Sequence, residues 1–580
     1  MSPYRSGRDE RPAPPPPETG LVGEMVRQFA DPYAFLRELV QNGMDAGARR
    51  IAVRVERSMG GLTTTSVHDD GCGMTRDTIE GPLLTLFSSS KEGVEGKIGK
   101  YGVGFISVLA LGPDAVEVET WRDGQAFRLV LRTDTSYELE DLGPREGSGT
   151  RVTLMQRMEA ADFAGHAARA RAALRRWCRH ADRPIEIAVI DHGGEAGEAG
   201  AVERIDTPLA VRAAASITIT EGDLTVAVGP SAGARYLGAA AAAAGEGDPE
   251  LGERFAGFYN RGLTLFETAE EVFPGLEGVR FKAMSPRFQH TLSRDNVRRD
   301  DAFREAIGRA RDAARGPLRR EVAARLGPAA EAAAQGRGRE AERYLALVEA
   351  ALTPPTRLDP AEIPFPLAHP TGGRTAAADL GAMLTWRAPL LLALRADAVT
   401  EALAARGVPA VLLVHPDLRS MLGRCYPRLR LVEARKAYLL VEPAEGALDE
   451  ASLALLEALS EALSRARHEV ARIAYCRVEG ALSKRAGLLL PEGDEPFPRL
   501  AAAADVERRG ARFRPADALH LNARTPTVEQ ARAAAAVDPV VAAALLARAL
   551  ILEAQRPLDA GDADLLLDLG RAGRLAGRTP

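Results

Sequence analysis

Phe35-Leu36-Arg37-Glu38-Leu39-Val40-Gln41-Asn42-Gly43-Met44-Asp45-Ala46 is the stretch whose reading decides this fold. As a helix it has two faces. Glu38, Asn42 and Asp45 stand at i, i+4 and i+7, which stacks them in one narrow stripe. Phe35, Leu36, Leu39 and Val40 fill the adjoining arc and offer an apolar face to a core. A carboxylate and an amide one turn apart suit work on a bound ligand. An Asn carbonyl is a hard oxygen ligand of the kind Mg²⁺ takes. A Glu can orient or deprotonate a water that attacks a phosphate. By itself the same pattern also describes an amphipathic helix whose polar face is merely solvated.

Outward from this helix, Ile51 to Val55 and Thr63 to His68 read as strands. Asp69-Asp70-Gly71-Cys72-Gly73-Met74 breaks the second strand with a D-x-G-x-G pattern. Glycines let backbone approach a flat ligand, and a carboxylate can accept from an exocyclic amine. A tight turn without ligand has the same composition. Further on, Leu86 to Lys91 opens a small-residue loop that runs into Gly96-Lys97-Ile98-Gly99-Lys100-Tyr101-Gly102-Val103-Gly104-Phe105, ahead of an apolar helix to Leu111. Glycines before a helix N-terminus present backbone N–H groups to an anion. Three of the chain's six lysines, Lys91, Lys97 and Lys100, lie here.

Ala115 to Thr120, Ala126 to Arg132 and Thr150 to Met155 read as strands of an antiparallel sheet. A helix over Ala160 to His180 and a strand over Ile185 to Ile190 complete an α+β domain near residue 205. Short strands follow, at Ser216 to Ile219 and Leu263 to Phe266. Arg287, His290, Arg294, Arg298 and Arg299 then gather before a helix from about Ala302. Residues 302–353 are helical, 390–415 form an α/β unit, and Ala451 to Ala474 reads as one long helix. Val528 to Leu569 is rich in Ala and Leu and suits helix–helix packing.

The whole chain has 580 residues, 46% hydrophobic and 27% charged, as in a globular protein of several domains. No apolar run nears the roughly 20 residues that cross a bilayer. The proline-rich N-terminus lacks the hydrophobic segment of a secretory signal, so cytoplasmic is the default. Cys72, Cys178, Cys425 and Cys476 have no metal spacing and read as free thiols. A net charge of −5 gives no global pull towards nucleic acid.

The Glu/Asn helix, the D-x-G-x-G turn and the glycine-rich loop occur in one domain in a fixed order. Together they resemble the GHKL ATP-binding fold of Hsp90 chaperones, type II topoisomerases, MutL proteins and histidine kinases. Phe35 to Ala46 resembles the first Hsp90 motif, and Ile98 to Phe105 resembles the end of its lid. Thr291-Leu292-Ser293-Arg294-Asp295-Asn296 resembles the middle-domain segment that carries a catalytic arginine. The resemblance implies a GHKL (Bergerat) α/β sandwich, then an α/β middle domain and a mainly helical C-terminal dimerisation domain. The expected divisions are a Pro-rich tail at 1–19, an ATP-binding domain at 20–205, a middle domain at 206–448 and a C-terminal domain at 449–580.

Carried over by the resemblance, Glu38 activates the attacking water and Asn42 holds Mg²⁺ against the phosphates of ATP. Asp69 accepts from the adenine amino group, Gly73 and Met74 flank the base, and Thr150 supports it through water. Lys91, Gly99, Gly102, Val103, Gly104 and Phe105 form the phosphate-facing lid end, Asp45 belongs to the first motif, and Arg294 reaches the γ-phosphate. The implied protein is a dimeric, ATP-driven chaperone of unfolded or partly folded clients, with no nucleic-acid or membrane partner. A MutL- or topoisomerase-like ATPase is the rival. A histidine kinase is set aside, because only the Pro-rich tail precedes the ATP motifs. The loop from Met74 to Gly99 is short, no long charged linker follows the first domain, and there is no acidic tail for tail-binding co-chaperones.

Overall fold

The computed structural model describes residues 31–84, 103–132, 136–193, 200–237, 250, 254–291, 296–336, 338–368, 374–375, 389–446, 448–493, 497–510 and 513–553. The chain divides into two compact units, the first made of residues 1–231 and 244–318, the second of 232–243 and 319–580.

The first unit begins with helix α1, Phe35–Asp45. Asp31 accepts the Tyr33 N–H and Pro32 opens the turn before it, so the chain enters α1 already wound. Strands β1 (Ile51–Arg57), β2 (Leu62–Asp69), β3 (Ala115–Arg122), β4 (Gln125–Arg132), β5 (Tyr137–Pro144), β6 (Gly149–Arg157), β7 (Ile185–Asp191) and β8 (Glu203–Arg204) form one sheet. Its order is β5-β4-β3-β6-β2-β1-β7-β8. Helix α2, Ala160–Cys178, crosses from β6 to β7. One pair departs from the antiparallel expectation. β7 lies parallel to β1, because a helical crossover returns the chain in its starting direction.

Phe35, Leu36, Leu39 and Val40 of α1 are buried in one core with Ile51, Val53 and Val55 of β1 and Phe163, Ala170 and Leu174 of α2. Each large side chain so buried contributes about 1.5–3 kcal/mol, which explains why the polar stripe is tolerated on the same helix. On β2 the inward residues are Thr63, Thr65, Val67 and Asp69. The two-residue period therefore drives a carboxylate to the helix-facing side at the strand's end.

A second sheet in the same unit has the order β12-β11-β13-β10-β9. It comprises β9 (Ile217–Glu221), β10 (Leu224–Pro230), β11 (Ala256–Asn260), β12 (Leu263–Thr268) and β13 (Val279–Met284). Helix α3, Asp301–Ala313, is capped by Asp300 and packs Phe303, Ala306 and Ile307 into a core around Phe258. Phe273, Phe281, Phe288 and Phe303 all meet the Phe258 ring, with centroids 5.0–5.8 Å away.

The second unit starts with helices α4 (Arg319–Gln335) and α5 (Arg339–Ala351) and a two-residue strand pair, β14 (Phe365–Pro366) with β15 (Arg374–Thr375). Parallel strands β16 (Leu390–Ala393), β17 (Ala410–Leu412) and β18 (Leu431–Glu433) alternate with helices α6 (Ala398–Ala405) and α7 (Asp417–Cys425), the expected α/β unit. A five-stranded sheet follows, ordered β21-β23-β20-β19-β22. Its strands are β19 (Tyr438–Pro443), β20 (Arg472–Gly480), β21 (Gly487–Pro491), β22 (Arg499–Ala502) and β23 (Asp517–Asn522). Helices α8 (Glu450–Arg465), α10 (Pro526–Ala535) and α11 (Pro539–Glu553) share a leucine- and alanine-rich core with it, and α9 (Ala503–Arg509) packs into a separate one. The long helix expected from Ala451 to Ala474 is corrected: α8 stops at Arg465. Ala466 caps it, Arg467 turns left-handed, and β20 begins at Arg472. The four cysteines are free, as expected. Among the described residues no helix is long and apolar enough to cross a membrane.

Candidate functional site

Glu38 is buried, not solvated. Arg37 donates to its Oε1 from Nη2 at 2.6 Å and from Nε at 3.2 Å. The Arg37 guanidinium lies over the Trp177 ring at 4.9 Å, so α2 supports the pair from behind. From the other side comes the backbone of the short helical turn Val103–Ile106. A Cβ added at Gly104 would stand 2.5 Å from Glu38 Oε2. Phe105 anchors that turn in the core, and Ser107 Oγ donates to the Gly104 carbonyl at 2.6 Å. Asn42, one turn along α1, is exposed.

Gly43 of α1 faces Asp69. A Cβ there would lie 3.0 Å from the Asp69 Cβ, so glycine lets helix and strand end close together. Asp69 is 9% exposed, and its Oδ1 accepts the Gly71 N–H at 2.9 Å. Burial pushes its carboxyl up to about 6; the Gly71 bond opposes the rise and the Asp70 charge adds to it. Asp70 does different work. Its Oδ1 accepts the N–H groups of Arg49 and Arg50, at 2.6 and 2.9 Å, and pins the loop from α1 to β1. Burial would raise the Asp70 carboxyl, but the N–H bonds from Arg50, Arg49 and its own backbone, with the Arg49 charge, together hold it below its ordinary value.

Gly73 has φ +66°, and a Cβ on it would meet the Trp121 carbonyl at 2.2 Å. Only glycine fits there. Strand register places Asp69 opposite Thr150 and Thr150 opposite Thr120. The two threonine hydroxyls are 3.1 Å apart, and Thr120 Oγ1 accepts the Met74 N–H at 2.8 Å. Asp69, Gly73, Met74 and Thr150 thus form one cluster at the sheet's end. Thr120 and Arg37 belong to the site and were missed by sequence reasoning. Their signals were the inward position of Thr120 on β3 and a cation adjoining Glu38 on an otherwise apolar helix face.

Asp45 is exposed at the C-terminal end of α1, where its Oδ1 accepts from Arg261 Nη1 at 3.1 Å. Lys91, Gly99, Gly102 and Arg294 lie outside the described residues, as does the side chain of Val103. Thr291 and Asn296, which flank Arg294, are bonded to each other, Thr291 N–H to Asn296 O at 2.9 Å.

The donor set fits a purine nucleotide. A buried carboxylate that accepts one turn N–H has capacity left for an exocyclic amine, and the glycines beside it leave room for a flat ring. Among the described residues no group of three His, Cys, Asp or Glu side chains could hold a metal ion. The Asn42 side chain offers one hard oxygen of the kind Mg²⁺ takes.

Residues 33–145 match the family described as histidine kinase-, DNA gyrase B-, and HSP90-like ATPase. The chaperone protein HtpG of Methylococcus capsulatus is 33% identical over 190 residues, covering 27% of this chain and 29% of that protein. HtpG of Pseudoalteromonas translucida is 29% identical over 211 residues, 31% of this chain and 32% of the relative. The DNA mismatch repair protein MutL of Rhizorhabdus wittichii is 54% identical over 58 residues, 10% of this chain and 9% of that protein. The matched stretch spans about a third or less of each relative's length. The chain carries an Hsp90-like ATPase domain of the GHKL superfamily.

Proposed function

We propose that this protein is an ATP-dependent, Hsp90-like chaperone of the cytoplasm, working as a homodimeric clamp on unfolded or partly folded clients. The observation that carries the reading is the placement of Glu38, buried between Arg37 and the Gly104 backbone on the helix that also bears Asn42. A carboxylate so held has a fixed orientation towards an attacking water.

In this reading Asp69 accepts from the adenine amino group, Gly73 and Met74 bound the ring, and Thr150 supports it through water. Bound Mg²⁺ neutralises charge on the phosphates, with Asn42 as its protein ligand. Lys91, Gly99, Gly102, Val103, Gly104 and Phe105 close over the phosphates. Arg294 approaches the γ-phosphate from the segment between Thr291 and Asn296. The divisions at 20–205, 206–448 and 449–580 are the proposed functional domains. Dimerisation is assigned to the last, where Leu545 and Leu552, seven residues apart on α11, are 52% and 54% exposed.

The test is hydrolysis. Wild-type protein should hydrolyse ATP, and Glu38→Ala should bind ATP yet lose at least about a hundredfold in rate. A Glu38→Ala variant as fast as wild type overturns the mechanism. ATP-dependent suppression of client aggregation tests the chaperone role.

The short, strong match to MutL favours a second reading, an ATPase acting on nucleic acid. DNA that binds in a salt-dependent way and changes the ATPase rate would select it. The net charge of −5 argues for the first.

A further inference from the structure

We propose that the hairpin tip Asn260-Arg261-Gly262, between β11 and β12, is a strut that fixes the Glu38 helix relative to the backbone at Pro286 and Phe288, and that Arg261 is a positioning residue for hydrolysis. The inference rests on the ATPase reading above.

Arg261 caps α1 from a different sheet. Its Nη1 donates to Asp45 Oδ1 at 3.1 Å and its Nη2 to the Met44 carbonyl at 3.2 Å. Met44 O lies at the C-terminal end of α1 and also accepts the Gly47 N–H at 3.1 Å, and a cation is favoured at that end of the dipole. The tip is wedged rather than draped. Arg261 itself is left-handed at φ +48°, and Gly262 follows at φ +84°. A Cβ on Gly262 would stand 1.8 Å from the His180 carbonyl, so the backbone touches the end of α2 directly. Asp182 N–H donates to the Arg261 carbonyl at 3.3 Å.

The neighbouring residue faces the other way. Asn260 Nδ2 donates to the carbonyls of Phe288 at 2.7 Å and Pro286 at 3.1 Å. Residues 286–288 precede His290, which bridges to Val297, and Thr291, whose N–H donates to Asn296 O. Two adjacent residues therefore tie α1 on one side to the backbone of Pro286 and Phe288 on the other. A buried ionic cluster holds the hairpin in place. Arg179 meets Glu267 of β12 at 2.6 Å, Lys282 of β13 meets Glu250 at 2.9 Å and His180 at 3.0 Å, and Tyr259 donates to Glu267 at 2.6 Å. A strut this well anchored transmits displacement instead of absorbing it.

Steady-state ATP hydrolysis by the full chain tests this. Arg261→Ala should lower kcat at least about tenfold, since small misplacement of a catalytic group is costly. KM for ATP should stay within about twofold, because ground-state binding is untouched. Asp45→Asn should give the same split, and the double variant should be no worse than either single one. Arg261→Lys should recover most of the rate. A merely structural role would lower the folded fraction and leave Asp45→Asn, an exposed and isosteric change, fully active. If wild-type hydrolysis depends on Glu38 but Arg261→Ala or Asp45→Asn keeps its kcat, or changes KM alone, the strut is overturned. If wild-type hydrolysis does not depend on Glu38, the ATPase mechanism fails and the strut with it.

Discussion

Arg37 Nη2 stands 2.6 Å from Glu38 Oε1, and both side chains are buried. Sequence neighbours on a helix point about 100° apart, so the pair relies on the reach of the long Arg37 side chain, whose guanidinium lies over Trp177. Removing one partner of a buried pair leaves a charge without its counterpart, which typically costs ~3–5 kcal/mol. Arg37→Met should therefore destabilise the protein by about that order, read as a lower urea midpoint. It should also slow ATP hydrolysis, because Glu38 loses the contact that orients it. A variant with an unchanged urea midpoint would show that the pair contributes nothing to the fold.

Asp69 carries a conflict between fold and ligand. Its folded carboxyl titrates near 6, above its ordinary value of 3.8. The linked stability is fully present below 3.8 and is lost as pH rises through about 6. At pH 7.5 the ionised group thus opposes folding in the nucleotide-free protein. Asp69→Asn should raise Tm without nucleotide, by about 2–4 °C for each kcal/mol recovered. The same variant should lose the Tm increase that ATP gives wild type. Wild-type ATP affinity should also fall as pH drops below about 6, where the acceptor becomes protonated. Thermal shift with and without ATP separates the two effects. An Asp69→Asn protein still stabilised by ATP would remove Asp69 from the adenine site.

Much of this site was legible because its residues violate local pattern. Asp69 ends an inward stripe of Thr63, Thr65 and Val67, and Gly73 lies two residues beyond another glycine at a strand's end. Such breaks stand out in one dimension. Arg261 did not, since nothing in its sequence neighbourhood marks a contact 216 residues away. β5 escaped as well. Its edge position leaves most of Tyr137–Pro144 open to water, so it has no apolar alternation to read. Past Arg465, Ala466, Ala471 and Ala474 with Arg467, Glu469 and Arg472 continue the composition of α8, so the expected helix runs through the break and overlaps the first three residues of β20.

Gly104 and Gly73 should separate function from folding. At Gly104 the atom that a new Cβ would meet is Glu38 Oε2 at 2.5 Å, so the methyl displaces the carboxylate from its fixed orientation without meeting backbone. Gly104→Ala should therefore cost less stability than Gly73→Ala and much of the hydrolysis rate, with ATP binding kept. At Gly73 the obstacle is the Trp121 carbonyl at 2.2 Å, on a residue with φ +66°. Backbone cannot step aside cheaply, so Gly73→Ala should lower Tm as well as ATP affinity. Equal stability losses at the two positions would contradict the assignment of Glu38 as the group beneath Gly104.

His166 of α2 joins three elements of the nucleotide domain. Its Nδ1 lies 2.8 Å from Tyr33 Oη and its Nε2 2.8 Å from Thr65 Oγ1, in a buried site. A neutral ring donates at one nitrogen and accepts at the other, and both hydroxyls can adapt to that. Burial, assisted by Arg169, lowers its titration to about 4. For a depressed histidine the stability is present above its unfolded value of 6.5 and is lost as pH falls through about 4. His180 is lowered to about 3 by burial and then by Lys282, and His520 to about 4 by burial, so all three act in one direction. The urea midpoint followed by tryptophan fluorescence should fall between pH 6.5 and 4. His166→Gln keeps a donor and an acceptor but cannot titrate. Its midpoint should be lower than wild type at pH 7.5, and the gap should narrow towards pH 4.5 as the unfolded wild-type histidine takes up a proton that the buried ring does not. A gap that stays constant across that range would mean His166 is not among the groups whose protonation destabilises the fold.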